Sequence, residues 1–133
     1  MTLSADDRLA VHELIALHGH LMDAGEFDRM DELFTADVVY DVTAFGAGEL
    51  RGHEAIKRAA LALGDGNPVG HHVTNVWVTE DADGTVRALS KGLGVNADGS
   101  VGSVVYEDTL RRETAGWRIA HRNVKPRRTP LHP

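Results

Sequence analysis

The chain has 133 residues, a formal net charge of −6 from 20 acidic against 14 basic side chains, eight histidines and no cysteine. That length supports one domain, residues 1–133, burying roughly two-thirds of the surface its unfolded form exposes. The acidic balance excludes a nucleic-acid binder, which needs a concentrated basic surface, and the lack of cysteine excludes a disulfide scaffold and thiol catalysis and fits a reducing compartment. No apolar stretch approaches the roughly 20 residues of a membrane span, and the N-terminus lacks a basic region followed by an apolar core, so no membrane contact and a cytoplasmic location are expected.

Ser4-Ala5-Asp6-Asp7 is a helix start, a hydroxyl cap with acids in the first turn. Leu14, Ile15, Leu17, Leu21 and Met22 then recur at helical spacing, and the helix is predicted to end near Gly25. A second, short helix is expected over 27–34 with Phe27, Met30, Leu33 and Phe34 inward, followed by a strand at 38–42 and a glycine-rich loop at 45–52. His53 to Leu63 is helical again, stopped by Gly64-Asp65-Gly66-Asn67-Pro68. From there the pattern is β, over 71–80, 85–95, 101–113 and 116–125, with hairpin turns at Asp83-Gly84, Asp98-Gly99 and Ala115-Gly116. Helices followed by hairpin-linked strands predict an α+β fold with the helices on one face of an antiparallel sheet. The basic cluster Lys125-Pro126-Arg127-Arg128 is expected to begin a solvated, extended tail over 125–133.

The chain offers no phosphate-binding loop and no paired metal ligands at short spacing; His18-Gly19-His20 diverge by about 200° on a helix and cannot chelate. No cofactor and no metal are therefore expected, and chemistry falls to protonatable side chains. Asp23 stands at the end of the first helix, where an acid opposes the helix dipole. Ala16, Gly19 and His20 beside it leave room for a ligand, and His18 lies about 140° around the helix from it. The doublet His71-His72 opens the first long β run. Alternate side chains share a face, so His71, Val73, Asn75 and Trp77 point one way and His72, Thr74, Val76 and Val78 the other. Only one histidine can face the helices, and parity alone leaves the choice open. His121 shares parity with Trp117 and Ile119 and is expected inward, with Arg122 outward and solvated. Tyr40 and Tyr106 could supply phenolic donors.

Several segments in order resemble one family: Asp23-Ala24-Gly25-Glu26-Phe27-Asp28 after the first helix, Leu33-Phe34-Thr35-Ala36-Asp37-Val38 entering the first strand, Gly52-His53-Glu54-Ala55-Ile56, His71-His72-Val73-Thr74-Asn75, and the closing Gly116-Trp117-Arg118-Ile119. The chain resembles the SnoaL-like branch of the nuclear transport factor 2-like (NTF2-like) superfamily. The resemblance implies a cone-shaped α+β barrel, three N-terminal helices on a curved antiparallel sheet around a mostly apolar pocket. Scytalone dehydratase, bile-acid dehydratases, ketosteroid isomerases and polyketide cyclases are of this kind. It also implies Asp23 and His71 as the catalytic pair, which selects His71 over His72, and a homodimer through the open face of the sheet. Val76, Val78 and Val104 are the apolar residues expected on that face. The chain departs from the dehydratases in having His18 five residues before the aspartate and Met22 immediately before it, where those enzymes place tyrosines. The second catalytic histidine of scytalone dehydratase has no counterpart between Val86 and Val95.

The expected function is that of a cofactor-free lyase or isomerase acting on a small hydrophobic carbonyl or hydroxy-carbonyl compound. Asp23, His71 and His18 form the catalytic set and Tyr40, His121 and Trp77 bind substrate. The alternatives are a non-catalytic small-molecule-binding protein of the same fold and a subunit of a ring-hydroxylating oxygenase.

Overall fold

The computed structural model describes residues 2–131. Helix α1 (Ala5–Ala24) begins with a capping box: the Ser4 hydroxyl accepts the Asp7 amide proton and the Asp7 carboxylate accepts that of Ser4. Asp7 also accepts the indole N–H of Trp117 at 3.1 Å and pairs with Arg112. The Trp117 and Ser4 donors, with the Arg112 guanidinium, hold its carboxyl well below the usual carboxylate range, and they tie the first turn of α1 to the last strand. Val11, Leu14, Ile15, His18 and Leu21 form the buried stripe, each apolar side chain contributing about 1.5–3 kcal/mol. Gly25 ends the helix in the left-handed conformation, φ 67°.

The predicted helix over 27–34 is instead a 3₁₀ turn, Phe27–Glu32. Six residues are too few for a stable α nucleus, and Arg29 ties the segment locally by pairing with Glu26 and Glu32. Met30 and Leu33 are buried as expected, and Phe34 already belongs to strand β1 (Phe34–Asp41). Within the predicted glycine-rich loop, β2 (Glu49–Arg51) pairs antiparallel with β1. Helix α2 (His53–Leu63) and strands β3 (Gly70–Glu80), β4 (Val86–Val95), β5 (Val101–Glu113) and β6 (Gly116–Arg127) follow close to the expected bounds. Two α-helices and one 3₁₀ turn thus replace the three helices expected. Lys125, Pro126 and Arg127 continue β6 and are not tail; residues 132 and 133 lie outside the described residues.

The six strands form one curved sheet in the order β2-β1-β6-β5-β4-β3. It is mixed rather than wholly antiparallel, because β1 runs parallel to β6. β2 takes one edge of β1 through a hairpin, and the final strand fills the other edge in the same direction. α1 lies against β3 and β6 on the inner face, and α2 packs on β1 and β2.

Two one-residue irregularities decide which side chains face α1. On β3, Thr74 pairs with Lys91 but Trp77 pairs with Leu89, so Asn75 and Val76 stand opposite Ser90 alone, and Asn75 adopts φ 56°. On β6, Thr109 pairs with His121 but Leu110 pairs with Ile119, which leaves Ala120 as the extra residue. Each bulge reverses the alternation beyond it. Val78 is therefore in the core at 3% exposure and Val76 packs against that core, while Trp77 is outward at 64%. Arg122 is buried at 0% exposure and His121 lies on the outer face. Val104 shares the inner face with Tyr106, beside Gly92, and these positions correct the expectations that Val76, Val78 and Val104 face out, that Trp77 and His121 face in, and that Arg122 is solvated.

Candidate functional site

The end of α1 meets the start of β3 at Gly19. A β-carbon there would sit 2.6 Å from the His71 carbonyl oxygen, so only glycine allows this approach of helix to strand. Gly19→Ala is expected to cost about 1–3 kcal/mol through overpacking and to push His71 away from α1. Thermal denaturation and turnover of the variant check this; unchanged values for both would contradict it.

Across that contact Asp23 holds His71 at three points. Its carboxylate accepts the backbone N–H of His71 at 3.0 and 3.1 Å, and His71 Nδ1 lies 2.6 Å from Asp23 Oδ1. A carboxylate only accepts, so Nδ1 is the nitrogen that donates, and in the neutral imidazole this tautomer puts the lone pair on Nε2. Nε2 makes no hydrogen bond among the described residues. The pair is about a quarter exposed, 25% for His71 and 28% for Asp23, which puts it at the mouth of the cone rather than in its depth. His72 is exposed on the other face.

The wall beside His71 is bare. His71 pairs with Gly94 and Gly94 with Gly102, so the next two inward positions of that row have no side chain. A β-carbon at Gly102 would meet nothing within 4 Å, whereas Pro68 packs over Gly94 at 3.4 Å from such a carbon.

Deeper in, aromatic and polar side chains gather around His18. The His18 ring is 6.4 Å from that of His71, 6.1 Å from Tyr106 and 6.3 Å from Tyr40, on which it stacks. His18 is 2% exposed and its Nδ1 has no partner among the described residues. Burial, then the charge of Arg122, then His71 push its pKa well below 6.5, so it is neutral at neutral pH. The unfolded chain binds that proton near pH 6.5 and the folded chain does not. The His18 contribution to stability is therefore full above pH 6.5 and falls as pH drops from there toward the depressed folded value. Urea midpoints at pH 7.5, 6.0 and 5.0 should fall more for the wild type than for His18→Phe; parallel pH curves would contradict this.

Tyr40 and Tyr106 both have raised phenolic pKa values, chiefly from burial, and remain protonated donors. The Tyr40 hydroxyl is close enough to Arg122 for the guanidinium to oppose that rise, without meeting hydrogen-bond geometry.

Below the histidines lies a pair not foreseen from the sequence. Arg122 donates from Nε and Nη2 to the two oxygens of Asp108, both at 2.7 Å, and both side chains are fully buried. Burial disfavours the Arg122 charge, but Asp108 more than offsets this and raises its pKa. Asp108 was detectable, since it shares parity with Tyr106 and Leu110, and an acid on a core face needs a partner. Arg122 was hidden by the Ala120 bulge.

Of the six site residues expected from sequence, four come together: Asp23, His71, His18 and Tyr40. Trp77 and His121 sit apart from them, in a shallow cavity of about 440 Å³ on the outer face of the sheet, with Thr79, Leu89, Glu107 and Asn123. Among the described residues no cluster of three or more acidic or histidine side chains could hold a metal, and no helix is long and apolar enough to cross a membrane.

A family model described as a SnoaL-like domain matches residues 4–123. An uncharacterized protein of Mycobacterium tuberculosis, Rv2910c, is 27% identical over 124 residues, covering 87% of this chain and 82% of that protein. An NTF2-like protein with a cystatin-like fold from Novosphingobium aromaticivorans superposes with a TM-score of 0.69 at 31% identity, covering 91% of this chain and 82% of that one. Aln2 from a Streptomyces species superposes with a TM-score of 0.75 at 28% identity, covering 95% of this chain and 94% of that one.

Proposed function

Because the chain belongs to the SnoaL-like family, which includes polyketide cyclases and ketosteroid isomerase-like enzymes, we propose that it is a lyase or isomerase working by general acid–base catalysis on a small hydrophobic carbonyl or hydroxy-carbonyl compound. The observation that carries this reading is the 2.6 Å contact between His71 Nδ1 and Asp23, with Nε2 left free at the mouth of the cone. Nε2 takes a proton from the carbon next to the substrate carbonyl, and Asp23 stabilises the imidazolium that forms. The protonated phenols of Tyr40 and Tyr106 are the donors for the developing enolate oxygen. Return of the proton to another carbon gives isomerisation, and its delivery to a leaving hydroxyl gives dehydration.

The test needs no known substrate. Aryl and cyclic ketones are incubated in D₂O and followed by NMR for exchange of the α-hydrogens. Exchange that requires His71 is expected; a wild-type protein that binds such ketones yet never exchanges them would overturn the enzyme reading in favour of a binding module.

We also propose that the outer face of the sheet pairs with a second copy of the chain. Support comes from the exposed Trp77 and Leu89 directly opposite each other on β3 and β4, at the cavity that also holds His121. Sedimentation at micromolar concentration should give a dimer, and Trp77→Glu a monomer; a wild-type monomer would refute the pairing.

A further inference from the structure

Arg122 carries more hydrogen-bonding capacity than its ion pair uses. Asp108 takes Nε and Nη2, while Nη1 is buried and makes no hydrogen bond among the described residues, the nearby Tyr40 hydroxyl falling short of hydrogen-bond geometry with the guanidinium. Three neutral atoms are likewise without partners among the described residues, Thr35 Oγ1 on β1, Ser90 Oγ and His18 Nδ1. Arg122, Ser90 and His18 adjoin Tyr106. Arg122 lies over its ring at 4.2 Å, His18 is 6.1 Å away edge-on, and Ser90 is its cross-strand partner. Buried polar groups are ordinarily hydrogen-bonded, and a charged donor left without an acceptor is the costliest exception. An arrangement kept only for stability would place apolar side chains here.

We propose that this interior is an anion receptor, and that the ligand of the site is a carbonyl compound bearing a carboxylate, which docks on Nη1 of Arg122. The proposal rests on the reading above in placing ligand and reaction in one cone, but its binding readout does not depend on turnover. Asp108 is a positioning residue: by holding Nε and Nη2 it fixes the plane of the guanidinium and directs Nη1 away from the pair. Ser90 and neutral His18 add hydrogen bonds to the same anion. Pro68 covers Gly94, and the open position at Gly102, one strand further along the row from His71, leaves space for the body of the ligand. The route inward passes Tyr106, whose ring fills the space a side chain at Gly92 would occupy; a β-carbon there would lie 2.5 Å from Cε2 and 2.9 Å from the hydroxyl. Tyr106 is 4% exposed, so its ring must turn about the side-chain torsions to uncover Nη1 when the ligand enters. Asp108 balances the Arg122 charge and the chain carries a net charge of −6, so the selection of acids over their neutral analogues rests on the free Nη1 donor, a charge-assisted bond that only an anion matches.

The test compares 3-benzoylpropionate with its amide, 3-benzoylpropionamide, by calorimetric titration and thermal shift on the full chain. The acid is expected to bind the wild type about tenfold or more tightly than the amide, and the preference is expected to vanish in Asp108→Leu/Arg122→Met, which removes both charges together. Equal affinity for acid and amide, or a preference that survives in the double variant, would overturn the proposal; the latter would assign the effect to the exposed Arg127 and Arg128. If the double variant does not fold, the Arg122 Nε–H resonance of the wild type decides the question. It should move on titration with the acid and stay fixed with the amide, and the opposite result refutes the receptor. Asp23→Asn should keep the acid preference, so failure of the catalytic reading and failure of this one are separable.

Discussion

Asp108→Leu alone is expected to lower the free energy of unfolding by about 3–5 kcal/mol, the cost of leaving a buried charge without its partner. Asp108 is 3% and Arg122 0% exposed, so water cannot take over the role of the lost carboxylate without opening the core. Against a typical total of about 5–15 kcal/mol, this single change brings the protein near its folding threshold. Asp108→Leu/Arg122→Met should recover most of the loss, because the pair is replaced by apolar side chains that need no partner. Urea denaturation of the three proteins checks the pattern. A single variant within about 1 kcal/mol of the wild type would mean that Arg122 is hydrated in the folded state, and the desolvation argument would fall with it.

The second large effect is on turnover. His71→Ala removes the proposed base and is expected to reduce kcat by about 10² to 10⁴. Asp23→Asn keeps an oxygen that accepts from Nδ1 and from the His71 backbone, so geometry persists while the stabilisation of imidazolium is lost. Its effect should fall on kcat and kcat/KM together, the sign of an interaction made in the transition state. Steady-state kinetics on whichever ketone shows α-hydrogen exchange measure both. Full activity in His71→Ala would end the general-base assignment.

Much of this architecture could be read along the chain. The boundaries of α2 follow from Gly52 and the Gly64-Asp65-Gly66 stop, and the hairpins from Asp83-Gly84 and Asp98-Gly99, whose glycines both adopt φ 86°. The Asp23 and His71 pairing was legible because it joins two positions each odd in its own setting, an acid at the wrong end of a helix and a histidine doublet on a strand. What stayed hidden depends on register. Alternation predicts faces only while pairing is uninterrupted, and a single unpaired residue at Asn75 or Ala120 reverses everything after it. Trp77, His121 and Arg122 all lie just beyond such a point. The parallel pairing of β1 with β6 is a long-range choice that local pattern does not encode.

Those two unpaired residues have an evolutionary meaning. In the described sheet one face belongs to chemistry and the other to the surface, and the bulge in each of β3 and β6 lets one extra residue be carried without exchanging them. Deleting Ala120 would remove the bulge and leave His121 outward and Arg122 inward, since their pairings are unchanged, whereas a one-residue slip of β6 that absorbed Ala120 into the ladder would turn His121 inward and Arg122 out, trading a buried cation for an imidazole without altering any side chain. Relatives that lack Ala120 should therefore keep the same interior, and those of equal length whose β6 pairs without the bulge should differ in what their interiors recognise, even where the Asp23 and His71 positions are unchanged.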